Sequence, residues 1–143
     1  MKTAVIFYQS KTGNTKKYAE DISAYIQSKN IKSLCVPVEE YKDNMLQNAD
    51  FVLLGCWTQG LMIFLQKPDK TWSNFAKNIT IADTTKVALF ATYKLRTGSM
   101  FKNMTKNLRK TDKQIFPTLK SKNGKLSEND MTILDKYLSS NQN

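Results

Sequence analysis

Histidine is absent from the 143 residues. That removes the commonest general base, the imidazole of any Ser-His-Asp or Cys-His unit, and most zinc geometries. Only two cysteines occur, Cys35 and Cys56, without CxxC spacing, which excludes a disulfide scaffold and a thiolate metal cluster. Long apolar runs are missing as well, none nearing the roughly 20 residues that cross a bilayer. No cleavable signal pattern opens the chain, because strand-like residues start at Thr3. Neither the GxxxxGK[ST] loop nor the GxGxxG fingerprint is found anywhere in the sequence, so nucleoside triphosphates and dinucleotides lack their usual cradles. A soluble, cytoplasmic, monomeric chain with no membrane partner is expected, and residues 1–143 read as one domain.

Acidic residues are scarce: 12 Asp and Glu face 22 Lys and Arg, a formal net charge of +10. The excess is concentrated between residues 94 and 125, where ten basic residues stand against the single acid Asp112. An acidic protein partner, a nucleic acid and a merely solvated lysine-rich surface are all compatible with such a stretch.

Apolar patterning is plentiful and well ordered. Thr3 to Tyr8 is nearly all strand-forming without alternation, the signature of a strand buried on both faces. After the polar turn Ser10 to Thr15, Tyr18, Ile22 and Ile26 recur at helical spacing with Ala19 on the same face. The alternation continues with a strand at Ser33–Val38, a short helix at Glu40–Gln47 and a strand at Phe51–Leu54. A helix opened by Pro68 then presents Trp72, Phe75, Ala76 and Ile79. Val87–Ala91 is the fourth strand, followed by a helical stripe of Met100, Phe101, Met104 and Leu108. Gln114–Leu119 is the fifth strand, interrupted by Pro117. Ser127 and Asp130 form a capping box ahead of a closing helix through Met131, Leu134 and Leu138. Strands alternating with helices predict an α/β fold, a five-stranded parallel sheet covered on both faces. Ligands of such sheets sit beyond the carboxyl ends of the strands.

The turn after the first strand holds three hydroxyls and one glycine immediately before a helix. Unpaired N–H groups and the positive dipole end of that helix, with the hydroxyls of Ser10, Thr12 and Thr15, form a pocket suited to a terminal phosphate. Ser10-Lys11-Thr12-Gly13-Asn14-Thr15 resembles the [ST]-x-T-G-x-T phosphate loop of flavodoxins at every fixed position. The order of elements over nearly the full length is also similar to a short-chain flavodoxin.

The resemblance implies a flavodoxin-like three-layer α/β/α sandwich with strand order 2-1-3-4-5 and FMN held non-covalently. It places the 5′-phosphate on Ser10, Thr12, Asn14 and Thr15 with the backbone around Gly13, and leaves Lys11 as an auxiliary charge. The segment Gly55-Cys56-Trp57-Thr58-Gln59-Gly60 falls where the family lays a tryptophan on one flavin face. Here the tryptophan comes two residues after Gly55, without the family's proline. Cys56, with no histidine or second cysteine to activate it, reads as packing. Ala91-Thr92-Tyr93-Lys94 corresponds to the second flavin loop, with Tyr93 as the other stacking ring and the Thr92 and Tyr93 N–H groups toward the pyrimidine edge. Lys94 and Arg96 stand where relatives often carry acids. The apolar run Leu61–Leu65 directly follows the first loop.

By this resemblance the chain is an electron carrier rather than a substrate-turning enzyme, passing single electrons between a reductase and an acceptor. Its redox protein partners are expected to offer acidic docking surfaces. Three alternatives stay open: a flavoprotein similar to the ribonucleotide-reductase activator, a small FMN-dependent reductase, and a non-enzymatic module that binds a polyanion or protein. Nucleic acid is the less favoured partner.

Overall fold

The computed structural model describes residues 1–59, 66–108 and 116–139. Strands β1 (Thr3–Gln9), β2 (Lys32–Pro37), β3 (Phe51–Gln59), β5 (Lys86–Thr92) and β6 (Thr118–Ser121) form a parallel sheet in the order β2-β1-β3-β5-β6. A two-residue strand, β4 (Lys67–Pro68), pairs antiparallel with the end of β3. Counting only the five long strands, the order is the expected 2-1-3-4-5. The chain moves from β1 to one side of the sheet and then returns to continue on the other. This topological switch opens a crevice at the carboxyl ends of β1 and β3.

Both faces of the sheet are apolar because neighbouring strand residues point to opposite sides. On one face Val5, Phe7, Val52, Leu54 and Leu89 pack against Trp72 and Ala76 of α2 (Lys70–Asn78) and Met100 and Met104 of α3 (Met100–Lys106). On the other, Ala4, Ile6, Leu53 and Phe90 meet Tyr18, Ile22 and Ile26 of α1 (Asn14–Gln27) and Leu134 and Leu138 of α4 (Glu128–Ser139). The capping box of α4 forms as expected. Asp130 N–H donates to Ser127 Oγ at 3.0 Å, and Ser127 N–H donates to the Asp130 carboxylate at 3.2 Å. The same carboxylate accepts the buried Tyr18 hydroxyl at 2.8 Å, which locks α4 to α1.

Several boundaries differ from the sequence expectation. In place of a helix over 40–47 there are two 3₁₀ turns, Val38–Glu40 and Asp43–Leu46, because Tyr41 and Lys42 between them are extended. β3 continues to Gln59 rather than ending at Leu54, since β1 and β5 pair with it through Cys56 and Trp57 respectively and its last two residues pair with β4. Pro68 lies in β4, and α2 starts at Lys70 behind Asp69. β6 begins at Thr118, whereas the expectation was 114–119. Phe116 and Pro117 precede the strand, and residues 114 and 115 lie outside the described residues. Pro117 has no N–H to give a ladder, but its carbonyl accepts the Leu89 N–H at 2.9 Å, so pairing starts immediately after it. Leu108 is buried beyond the end of α3. No helix among the described residues is long and apolar enough to cross a membrane.

Candidate functional site

Beyond the carboxyl ends of β1, β3 and β5 lies a cavity of about 560 Å³, within the range of small-molecule sites. The loop from Ser10 to Gly13 forms one wall as it turns into α1. Gly13 has φ +99°, a left-handed conformation that side-chain-bearing residues avoid, while the space where a Cβ would sit is open. Glycine is therefore required here by the backbone angle and not by crowding. Ser10 Oγ accepts the Gly13 N–H at 3.1 Å and the Lys16 N–H at 3.3 Å, so it braces the loop internally. Thr15 is buried, and its hydroxyl shares a 2.6 Å hydrogen bond with that of Thr92 at the end of β5. Lys11, Thr12 and Asn14 line the cavity. Ser10, Gly13 and Thr15 shape the loop from behind.

The opposite wall comes from the end of β3. Trp57, Thr58 and Gln59 line the cavity as strand residues, not as the loop expected from sequence. Lys11 Nζ rests 4.7 Å from the centre of the Trp57 ring, a cation–π contact across the mouth. Thr58 Oγ1 and Trp57 Nε1 are buried and have no hydrogen-bond partner among the described residues. Such groups cost free energy unless something completes them. Gly60 and the apolar run Leu61–Leu65 lie outside the described residues.

Thr92, Tyr93 and Lys94 complete the third side. The Tyr93 N–H does not face a ligand edge as expected. It donates to the Ser121 carbonyl at 3.2 Å, because the chain leaving β5 stays paired with β6. Besides Ser10, Gly13 and Thr15, two further expected residues are not in the cavity wall. Ala91 is fully buried in the sheet core. Cys56 is also fully buried there; its sulfur accepts the Asp69 N–H at 3.4 Å. Burial pushes the Cys56 thiol up to about 12, leaving almost no thiolate near neutrality.

Two lining residues were missed in the sequence, Lys67 and Lys122. Lys122 directly follows β6. The rule that ligands sit at strand ends points to it once that strand is seen to finish at Ser121 rather than Leu119. A tight turn holds it in place. Ser121 Oγ accepts the Gly124 N–H at 2.9 Å, and a Cβ on Gly124 would stand 2.7 Å from the Asn14 carbonyl, so the turn packs on the start of α1. Lys67 is set by its neighbour Gln66, whose carbonyl accepts from Ser99 Oγ at 3.0 Å and Asn103 Nδ2 at 2.7 Å. Lys11, Lys67, Lys94 and Lys122 thus line one cavity, and no acidic residue among those described does. The described residues contain no cluster of His, Cys, Asp and Glu able to hold a metal ion.

A doubly wound parallel sheet with a hydroxyl-rich loop opening α1 and a ring-lined crevice at its switch point defines a mononucleotide-binding α/β protein. Residues 5–129 match the family model described as the Flavodoxin domain, and the chain belongs to that family. No curated protein matches the sequence significantly. Among solved structures, a short-chain flavodoxin associated with a bacterial microcompartment is similar at 14% identity and TM-score 0.68, with 96% of this chain and 94% of that one covered. Oxidised flavodoxin 2 from Bacillus cereus is similar at 19% identity and TM-score 0.67, covering 94% of each chain. Two-electron reduced Megasphaera elsdenii flavodoxin is similar at 18% identity and TM-score 0.65, with 94% and 96% covered.

As a flavodoxin, the chain is an FMN-binding protein of the electron-transfer type. The residues present suit that group. The amino end of α1 with Lys11 offers donors and positive charge for a phosphate. Trp57 and Tyr93 offer flat rings, and Gln59 and Thr92 line the same space with polar side chains suited to the edge of a heteroaromatic ring.

Proposed function

We propose that this chain carries single electrons between a reductase and an acceptor protein, using FMN seated in the cavity at the ends of β1, β3 and β5. The observation that carries this reading is the wall of that cavity. Trp57 and Tyr93 line the same space as Lys11, Thr12 and Asn14. FMN supplies the redox chemistry, and the protein supplies position and electrostatics. Thr12, Asn14, Lys11 and the amino end of α1 hold the phosphate. Ser10, Gly13 and Thr15 fix the loop that presents those donors. Trp57 and Tyr93 flank the ring system, and Thr58, Gln59 and Thr92 line its edge. The lysines offset the negative charge that reduction adds. The described chain supplies no histidine and no reactive thiolate, which favours carriage over substrate turnover.

A cytoplasmic location and a monomeric carrier belong to the same proposal, supported by two free cysteines and small size. The test is to load the purified protein with FMN and titrate it anaerobically with dithionite while following absorbance. Two resolved one-electron steps support the carrier. A single two-electron step supports a small flavin reductase instead, and failure to retain FMN supports a non-enzymatic module.

A further inference from the structure

Leu95 is 68% exposed, the most exposed large apolar side chain described apart from Met1. It lies between Lys94 and Arg96, both exposed, and Lys94 lines the FMN cavity with Lys11, Lys67 and Lys122. The segment that carries it is held at both ends: Tyr93 N–H donates to the Ser121 carbonyl at 3.2 Å, and the Thr97 carbonyl accepts the Met100 N–H at 2.8 Å. A leucine held up on a fixed loop costs hydration and gains nothing from the fold. On such a loop it is already ordered for a partner, so little entropy is lost when it is covered. The acids at this end of the sheet, Glu39 and Glu40 after β2 and Asp69 before α2, are not in the cavity wall.

Resting on the electron-carrier reading, we infer that Leu95 is the apolar centre of a docking face, rimmed by Lys67, Lys94, Arg96 and Lys122, for an acidic redox protein. Charge complementarity selects that partner. A surface with this many cations beside the cavity attracts a cluster of Asp and Glu from a distance, and Leu95 then fills a small apolar depression at contact. The placement also serves the reaction, because it brings the partner's acceptor to the mouth of the cavity that holds the donor. Nucleic acid would use the lysines but has little use for a central leucine.

The experiment mixes full-length FMN-loaded protein, reduced with dithionite and freed of excess reagent, with the acidic soluble domain of ferric cytochrome b5 in a stopped-flow instrument. One electron passes from reduced FMN to the ferric haem, which becomes ferrous. The second-order rate is expected to fall about tenfold between low and high salt as attraction is screened. Leu95→Ser is expected to slow transfer about fivefold at every salt concentration, since it removes apolar contact and not charge. Arg96→Glu is expected to slow it only at low salt and to flatten the salt dependence, and FMN absorbance is unchanged in both variants. Wild-type rates that ignore salt, or a Leu95→Ser rate equal to wild type, overturn the docking face. So does a single-stranded RNA that inhibits far more strongly than poly-glutamate of equal charge, which assigns the face to nucleic acid. Reduction of ferricyanide at high salt separates the two levels. If it proceeds while the cytochrome results fail, only the docking face falls; if it fails too, the carrier reading falls with it.

Discussion

Thr58 offers a substitution whose effects on the empty and the loaded protein have opposite signs. Thr58 lines the cavity, while its Oγ1 is buried behind that surface with no hydrogen-bond partner among the described residues. A buried hydroxyl left unsatisfied costs roughly 1–3 kcal/mol. Thr58→Val keeps the branched shape that suits the end of β3 and removes the orphaned oxygen. The FMN-free variant is therefore expected to be more stable by about 1 kcal/mol, which raises Tm by about 3 °C for a chain of this length. In the loaded protein a rotation of the Thr58 side chain about χ1 is expected to bring that oxygen out to the ligand. Its removal forfeits a hydrogen bond of about 0.5–1.5 kcal/mol, which weakens FMN by roughly twofold to tenfold. Thr58→Ser, which retains the hydroxyl, is expected to hold FMN nearly as tightly as wild type. Differential scanning fluorimetry without FMN and calorimetric titration with it measure the two effects. An unchanged FMN affinity in Thr58→Val, or a fall in the stability of the FMN-free variant, refutes the assignment of this hydroxyl to the ligand.

Thr15→Val strands the buried Thr92 hydroxyl that now shares a 2.6 Å bond with Thr15. It is expected to cost about 1–2 kcal/mol in urea melts, with Thr15→Val/Thr92→Val less destabilised than the two single losses summed. Gly55→Ala places a Cβ 2.0 Å from Phe90 Cε2 inside the core. It is expected to destabilise by about 1–3 kcal/mol in thermal melts, partly recovered by Phe90→Leu. Burial holds the Cys56 thiol at about 12, whereas an unfolded cysteine ionises near about 8.5. The folded chain thus keeps a proton that the unfolded chain releases, so this contribution is intact below about pH 8.5 and is lost as pH rises toward about 12. Urea melts from pH 7.5 to 10.5 should show declining stability, with a shallower decline in Cys56→Ala.

The sequence showed most clearly what local apolar patterning determines. Thr3 to Tyr8 has no polar residue between Thr3 and Tyr8 and became the buried β1, and Ser10 to Thr15 became the loop that opens α1. The Ser127 and Asp130 pair capped its helix because that geometry needs only neighbours. What was hidden depends on distant strands. Thr58 and Gln59 look like loop residues, yet they are extended because β4 returns to pair with them. Thr15 reads as an anion donor, and nothing local shows that its hydroxyl shares a hydrogen bond with that of Thr92, 77 residues away. Lys122 was missed because Pro117 obscured where β6 begins and ends. Lys67 follows an apolar run and carries no sign of the Gln66 anchoring that brings it to the cavity.

The central claim is that FMN occupies the cavity at the carboxyl ends of β1, β3 and β5. Titration of the ¹⁵N-labelled protein with FMN, followed by amide and indole NMR resonances, tests it most directly. Saturable shifts are expected, concentrated at Thr12, Gly13, Asn14, Thr58, Gln59, Tyr93 and the Trp57 indole N–H. Riboflavin should reproduce the Trp57, Thr58 and Tyr93 shifts while leaving the Thr12 to Asn14 loop nearly still. Shifts centred on another face, or a loop that responds equally to both ligands, would contradict it.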